Sequence, residues 1–372
     1  MLSFTDSKLN KNLISTLTRL GFHEPTPIQK ETIDLVLNNK DVLATAQTGT
    51  GKTGAYAIPL VSKLLESPDQ TALILLPTRE LAAQVDTFIR SLVAGSKLST
   101  TLVIGGLSMR GQANALYHKP NVIIGTPGRI LDHLQCRSLN LSNIKLLVLD
   151  EADRMLDMGF SEALKAIASY IPSSRQTLLF SATLPNLTIQ LTKYYLKDPV
   201  RINVGAINTP NSILEQKTIM TQENEKYLRL VEILAEYKKS TIVFVKTKIM
   251  AKKLAEKLRR EGHNTVAFYG SLTQSNRNAI ISAFLRKQYT SIVATDVLSR
   301  GIDISHIQCV VNYNLPANPE DYVHRVGRTA RAGAKGTAIT LVTPHEARIW
   351  NSFLKTINSQ VLAGKKHNIN VA

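Results

Sequence analysis

Short, continuous apolar runs recur along the chain between stretches of helical character. Asp41–Ala46 (DVLATA), Ala72–Pro77 (ALILLP), Asn121–Thr126 (NVIIGT) and Lys145–Asp150 (KLLVLD) form a first set, and QTLLF leads into Ser181. None alternates apolar with polar residues, as a strand wetted on one face would. Val-, Ile- and Leu-rich runs of this length suit parallel strands covered on both faces by helices. The same grammar resumes at Thr241–Val245, Thr265–Gly270, Ser291–Thr295 and Cys309–Tyr313. A chain of 372 residues is also longer than one core ordinarily serves. The expected fold class is α/β, with two tandem domains of mostly parallel sheet flanked by helices. Between the two sets, Asn203–Ser212 concentrates Gly, Pro, Asn and Ser without an apolar period. The expected division is a first domain over 1–205, a linker over 206–213, a second domain over 214–360 and a short tail over 361–372.

Charge narrows the partner. Lys and Arg number 45 against 28 Asp and Glu, a formal charge of +17, which favours a polyanion because neutralised phosphates release condensed counterions. The amino terminus has no secretory signal and no uncharged run is long enough to span a bilayer, so a cytoplasmic location without membrane association is expected. Cys136 and Cys309 stand far apart with no CxxC spacing, which gives neither a zinc site nor a disulfide framework.

The chemistry begins at Ala46-Gln-Thr-Gly-Thr-Gly-Lys-Thr53, between an apolar run and a helical pattern. Thr48, Gly49 and Gly51 let backbone N–H groups turn around phosphates, and the following helix adds its positive end. Lys52 is expected to reach the β and γ phosphates of a nucleotide, and Thr53 to offer its hydroxyl to Mg²⁺. Ala46 stands where a strict loop pattern has its first glycine. At Val148-Leu-Asp-Glu-Ala-Asp153 an apolar run delivers adjacent carboxylates to its carboxyl end. Asp150 is suited to organise Mg²⁺ and Glu151 to orient and deprotonate an attacking water.

Asp150-Glu151-Ala152-Asp153 spells the name of the DEAD-box RNA helicases, and the sequence resembles that family from about residue 2 to about residue 350, most of all its bacterial RhlE-like members. The resemblance implies two RecA-like domains with ATP and RNA bound across the cleft between them. Gly21-Phe-His-Glu-Pro-Thr-Pro-Ile-Gln29 is similar to the adenine-recognition motif, so Gln29 is expected to read the adenine edge and Phe22 to stack on the ring, which implies ATP. Asp303 matches the ribose contact, and Ser181-Ala-Thr183 the motif coupling hydrolysis to strand separation. Tyr322-Val-His-Arg-Val-Gly-Arg-Thr-Ala-Arg331 resembles the arginine-finger motif, with Arg328 and Arg331 directed at the γ phosphate and His324 and Arg325 at the opposite domain. Ala330 departs from the usual glycine.

Pro77, Thr78, Arg79, Gly105, Gly106, Thr126 and Arg129 follow apolar runs or their ends, where open α/β sheets bind ligands. Hydroxyls, glycine amides and arginines are suitable donors to a phosphate backbone. With Lys246, Thr247, Gln274, Arg277, Thr295 and Arg300 they resemble the family's backbone-gripping set, and the resemblance implies single-stranded RNA and short RNA duplexes as the ligand. Aromatic residues make up only 6% and do not interleave with the basic ones, so backbone contact rather than base stacking is expected. Tyr269 and Asn314 replace a common histidine and a common acidic residue. The leading expectation is a monomeric helicase that opens short duplexes, with ribonucleoprotein complexes as partners; an ATP-gated RNA clamp and a DNA translocase with a similar core are the alternatives.

Overall fold

The computed structural model describes residues 3–46, 49–182, 186–204, 214–237, 240–298, 307–330 and 335–366. The chain divides into two compact units, Met1–Ile207 and Asn208–Ala372. No described helix is long and apolar enough to cross a membrane.

The first unit carries β1 (Val42–Ala46), β2 (Thr71–Leu75), β3 (Thr100–Val103), β4 (Val122–Gly125), β5 (Ile144–Leu149), β6 (Gln176–Ser181) and β7 (Val200–Val204). They pair in parallel in the order β3-β4-β2-β5-β6-β1-β7. Successive side chains point to opposite faces, which separates Val42, Ala44, Ile74, Val148 and Phe180 in one apolar cluster from Leu43, Leu73, Leu75, Leu147 and Leu179 in another. Both faces are thus buried, and the apolar runs need no alternation.

The second unit carries β8 (Leu214–Met220), β9 (Thr241–Phe244), β10 (Thr265–Phe268), β11 (Ser291–Ala294), β12 (Cys309–Asn312) and β13 (Gly336–Val342). They too pair in parallel, in the order β10-β11-β9-β12-β13-β8. Val243, Val293 and Val311 face one cluster, and Phe244, Ile292 and Val310 the other. A smaller apolar cluster joins the helix Pro319–Val326 to the helix Ala347–Lys366 through Tyr322 and Trp350. Trp350 meets Tyr322 edge-on with ring centroids 5.0 Å apart, and its Nε1–H donates to Thr218 Oγ1 of β8 at 3.0 Å.

At the amino ends of the first sheet, the Asp41 carboxylate accepts the Thr177 N–H at 2.8 Å and the Lys197 N–H at 2.7 Å. It thereby ties the starts of β1 and β6 to the turn that leads into β7. Asp41→Ala leaves two partly buried N–H groups without their acceptor, and is expected to lower stability by about 2–4 kcal/mol in a urea titration followed by far-UV circular dichroism. Asp41→Asn, which keeps one acceptor oxygen, is expected to lose about half of that.

Candidate active site

Because every strand is parallel, the carboxyl ends of each sheet lie along one edge. The register sets Leu149 beside Leu179 and Thr45 beside Ser181, so the ends of β1, β5 and β6 emerge together. From β1 the chain passes through Gly49 and Gly51, both at positive φ (85° and 93°), into a helix beginning at Lys52. The left-handed conformation at Gly51 is one that glycine adopts without a Cβ penalty. Space demands glycine there as well: a Cβ would stand 2.7 Å from Thr26 Oγ1 and 2.9 Å from Gln29 Nε2. Lys52, 6% exposed, turns back so that Nζ donates to the Ala46 carbonyl at 2.9 Å, within the loop.

Gln29 belongs to the helix Pro27–Leu37 and is buried against this loop. Its Oε1 accepts the Thr26 N–H at 2.9 Å and its Nε2 donates to the Gly51 carbonyl at 3.1 Å. One N–H and one acceptor position of the amide are left by these two bonds. Gln29 therefore braces the Gly-rich loop from outside as well as carrying an amide beside it. Phe22, half-buried, packs on Phe88 with centroids 5.8 Å apart and against the adjoining core.

At the end of β5, Asp150 is 3% exposed. Its Oδ1 accepts the Glu151 N–H at 2.9 Å, and its Oδ2 accepts the Tyr56 hydroxyl at 3.0 Å. Burial pushes the Asp150 carboxyl up to about 6; Lys52 pulls the other way, Glu151 adds to the rise, and the two hydrogen bonds moderate it. Tyr56, packed on Phe180 at 5.3 Å, holds its proton, since burial and then Asp150 drive its hydroxyl well above the ordinary tyrosine range. Glu151 sits at φ 52°, a left-handed conformation costing on the order of 1–2 kcal/mol for a residue with a side chain. Its carboxylate is anchored by Arg154 at 3.1 Å, with both side chains buried.

Two hydrogen bonds join Asp153 to Ser181 and Ala182. The Asp153 N–H donates to Ser181 Oγ at 3.3 Å, and the Ala182 N–H donates to Asp153 Oδ2 at 3.1 Å. The carboxylate segment is thus tied to the end of β6.

Pro77, Thr78 and Arg79 follow β2, Gly105 and Gly106 follow β3, and Thr126 and Arg129 follow β4, all on the same edge. Thr78 caps the helix Arg79–Val93 through Leu81 N–H at 3.3 Å. The Arg79 guanidinium lies on Gly105, where a Cβ would come within 2.8 Å of it. Thr126 is buried and its N–H donates to the Val103 carbonyl at 3.2 Å. Arg129 donates to the Leu107 carbonyl at 3.1 Å.

In the second unit Lys246 is exposed at the end of β9, and its N–H donates to Asn314 Oδ1 at 3.2 Å; that N–H needs only an acceptor, which an amide supplies as well as a carboxylate. Thr247 caps the helix Lys248–Arg260, and Thr295 is half-buried at the end of β11. Gln274 and Arg277 are buried: Gln274 Nε2 donates to Asn278 Oδ1 at 3.1 Å, and Arg277 lies 5.3 Å from the Phe268 ring. His324 and Arg328 are also buried, and Arg328 Nε donates to the His324 carbonyl at 3.3 Å.

Arg325 is 1% exposed and donates to Asp296 Oδ1 (2.6 Å), Asp296 Oδ2 (2.9 Å), Asn312 Oδ1 (3.2 Å) and the Asn314 carbonyl (2.8 Å), all in its own unit. Four of its five N–H groups are used, and it lies over Phe244 at 5.2 Å. A guanidinium this buried is retained only with its acceptors beside it. Ala330 lies at φ 55°, so what the family's usual glycine provides there is backbone freedom. Thr48, Thr183, Arg300, Asp303 and Arg331 lie outside the described residues.

Sequence reasoning missed Tyr56, Arg154 and Asp296. Tyr56 sits in an apolar helical stretch and reads as core, whereas Arg154, three residues after Glu151, stands at a spacing that pairs charges on a helix.

A Gly-rich loop wrapped onto a helix start, beside a buried carboxylate pair on a parallel sheet, defines a nucleoside triphosphatase of the RecA-like type. Comparison with known proteins carries the assignment further. The model described as DEAD/DEAH box helicase matches residues 26–191, and that described as Helicase conserved C-terminal domain matches residues 224–333. The DEAD-box ATP-dependent RNA helicase CshA of Bacillus subtilis (strain 168) is 41% identical over 357 residues, covering 95% of this chain and 72% of CshA. RhpA of Helicobacter pylori (strain B128), of the same description, is 41% identical over 360 residues, covering 96% of this chain and 73% of RhpA. Among solved structures, S. cerevisiae Dbp5 bound to RNA and ADP BeF3 aligns with a TM-score of 0.86 at 31% identity, over 95% of this chain and 93% of Dbp5. A DEAD box protein from Methanococcus jannaschii aligns with a TM-score of 0.55 at 40% identity, over 96% and 98% of the two chains. The chain belongs to the DEAD-box ATP-dependent RNA helicases.

Asp150 ionises at a cost that the folded state bears. Its raised pKa means that its stability contribution is intact below 3.8, the ordinary value, and is lost as pH rises through about 6. Asp150→Asn, which removes the charge, is expected to stabilise the nucleotide-free, chelator-treated protein by on the order of 2–3 kcal/mol above pH 6, fading as the pH falls towards 4. Thermal melts of both proteins across this range measure the difference.

Proposed function

We propose that this enzyme couples ATP binding and hydrolysis to local opening of short RNA duplexes, holding the RNA backbone without strong sequence preference. The observation that carries this reading is the gathering, on one edge of the first sheet, of the Lys52 loop, the buried Asp150 carboxylate and the Asp153–Ser181 hydrogen bond beside the Arg79, Gly105 and Arg129 segments. Family membership supports ATP as the nucleotide, and the RNA bound to Dbp5 and to Mss116p in their structures supports RNA as the ligand.

The residues divide the work. Gly49, Gly51 and Lys52, with Thr48, cradle the phosphates at a helix N-terminus. Gln29 and Phe22 meet the adenine, and Asp303 the ribose. Thr53 and Asp150 are suited to Mg²⁺: both are oxygen donors, and Asp150 is a buried carboxylate whose ionised form wants a cation. The ion would neutralise phosphate charge as the terminal bond breaks. Glu151, steadied by Arg154, orients water and takes its proton. Arg328 and Arg331 stabilise the charge that develops on the γ phosphate. Asp153 and Ser181, with Thr183 and His324, relay the change of state to the RNA contacts. Those are the backbone donors of residues 77–79, 105–106 and 126–129 in the first domain, and Lys246, Gln274, Arg277, Thr295 and Arg300 in the second. The reading extends to a cytoplasmic monomer that meets its RNA in ribonucleoprotein complexes; its RhlE-like character rests on the residues alone.

Glu151→Gln is expected to keep ATP affinity while slowing RNA-stimulated hydrolysis by at least about 10²-fold, the loss of a general base, in a single-turnover assay. Hydrolysis near the wild-type rate would remove Glu151 from the role. Arg328→Ala is expected to cost about 10³-fold in the same assay with little change in nucleotide affinity. RNA affinity should fall with salt at a log–log slope near ~4, for about six phosphates at roughly 0.7 each; a shallow slope with strong sequence preference would contradict a backbone grip.

A further inference from the structure

Two side chains that the proposed reaction does not use stand behind the RNA-facing edge of the first unit. Gln112, on the helix Met109–Tyr117, and His133, on the helix Pro127–Gln135, are both buried. Gln112 Nε2 donates to the Ile104 carbonyl at 2.9 Å, and its Oε1 lies 3.2 Å from His133 Nε2. His133 Nδ1 lies 2.8 Å from Ser138 Oγ.

These contacts fix one pattern of protons. The Ile104 carbonyl can only accept, so the Gln112 amide must present its N–H₂ there and its oxygen to His133. His133 Nε2 must then carry a hydrogen, and Nδ1 accepts from the Ser138 hydroxyl when the ring is neutral. Burial, helped by nearby Arg129 and opposed by Asp132, holds His133 below the ordinary histidine range, in keeping with a neutral ring. The chain therefore runs from Ser138 through His133 and Gln112 to the Ile104 carbonyl, each bond polarising the next.

Its end point matters because a trans peptide holds C=O and N–H on opposite sides, and no described peptide bond is cis. Drawing the Ile104 carbonyl towards Gln112 turns the Gly105 N–H the opposite way, away from the buried Gln112, in a loop whose next two residues, Gly106 and Leu107, are exposed. Arg129 draws the Leu107 carbonyl in the same way. The loop between β3 and the next helix is thus held at both ends, by residues of two helices. We propose that Gln112 and His133 are positioning residues for RNA, holding the Ile104 peptide so that the Gly105 N–H is presented to a backbone phosphate. The inference rests on the reading of Gly105 and Arg129 as phosphate-contacting groups.

The test is fluorescence anisotropy of a labelled single-stranded oligoribonucleotide with the full chain and a non-hydrolysable ATP analogue, across a series of KCl concentrations. Gln112→Leu and His133→Leu are expected to raise the RNA Kd by about tenfold, the scale of one charge-assisted hydrogen bond. Neither removes a cation, so the salt slope should be unchanged, and nucleotide affinity should stay within about twofold. His133→Gln, which restores an N–H towards Gln112, should recover most of the affinity. Ser138→Ala, a half-exposed change that leaves the core packing intact, should give a smaller loss in the same direction and keeps the test open if a leucine variant does not fold. Arg129→Ala should weaken binding and also lower the slope by about 0.7. If Arg129→Ala weakens binding while the Gln112, His133 and Ser138 variants bind as wild type, the positioning inference is overturned and the RNA reading stands. If the Gln112 and His133 variants lose slope or nucleotide affinity as well, their role is general packing and the inference is again overturned. If Arg129→Ala has no effect, the phosphate-contact reading falls and the inference with it.

Discussion

A parallel strand covered by helices on both faces meets solvent only at its ends. In this protein that restriction organises everything chemical. The residues between strand ends are committed to packing, as the uninterrupted burial of β4, β6, β9 and β13 shows. Loop glycines, carboxylates, hydroxyls and arginines are consequently gathered at the carboxyl ends of the strands. Parallel register then converts sequence distance into proximity: Thr45 and Ser181 are far apart in the chain and adjacent in the sheet.

Gathering such groups has an energetic consequence. Asp150 and Glu151 are neighbouring carboxylates in a dry site, opposed by Lys52 and Arg154 and steadied by a phenol. Glu151 occupies a backbone conformation that residues with side chains avoid. In the second unit the equivalent tension is relieved differently, since Arg325 is enclosed by Asp296, two asparagines and an aromatic face. The first arrangement concentrates charge at a strand end; the second uses charge to hold strand ends and a helix together.

The sequence made the central strands legible and the margins illegible, for physical reasons. Apolar runs at 41–46, 72–77, 121–126 and 145–150 coincide with β1, β2, β4 and β5, because a strand buried on both faces cannot disguise its composition. Edge strands have no such obligation. β8 reads LEQKTIM and is exposed over Glu215–Thr218, so nothing in its residues separates it from a loop. Motifs placed the nucleotide loop and the carboxylates, since their spacing is dictated by phosphate geometry. They said nothing of Tyr56, whose hydroxyl is hidden in an apolar helix, nor of the acceptors around Arg325, because a row of arginines looks alike whatever its members face. Ala330 shows the opposite case, a departure visible in sequence whose meaning is a dihedral angle.

Trp350 is the one tryptophan of the chain. Its indole hydrogen-bonds β8, the strand that follows residues 205–213, and its ring abuts Tyr322 on the helix that carries His324 and Arg325. The chain's single tryptophan thus sits at the joint between β8 and the arginine-bearing helix. Emission excited selectively at the indole, apart from the tyrosines, reports on that joint, so the second unit carries its own optical gauge of rearrangement during the ATP cycle.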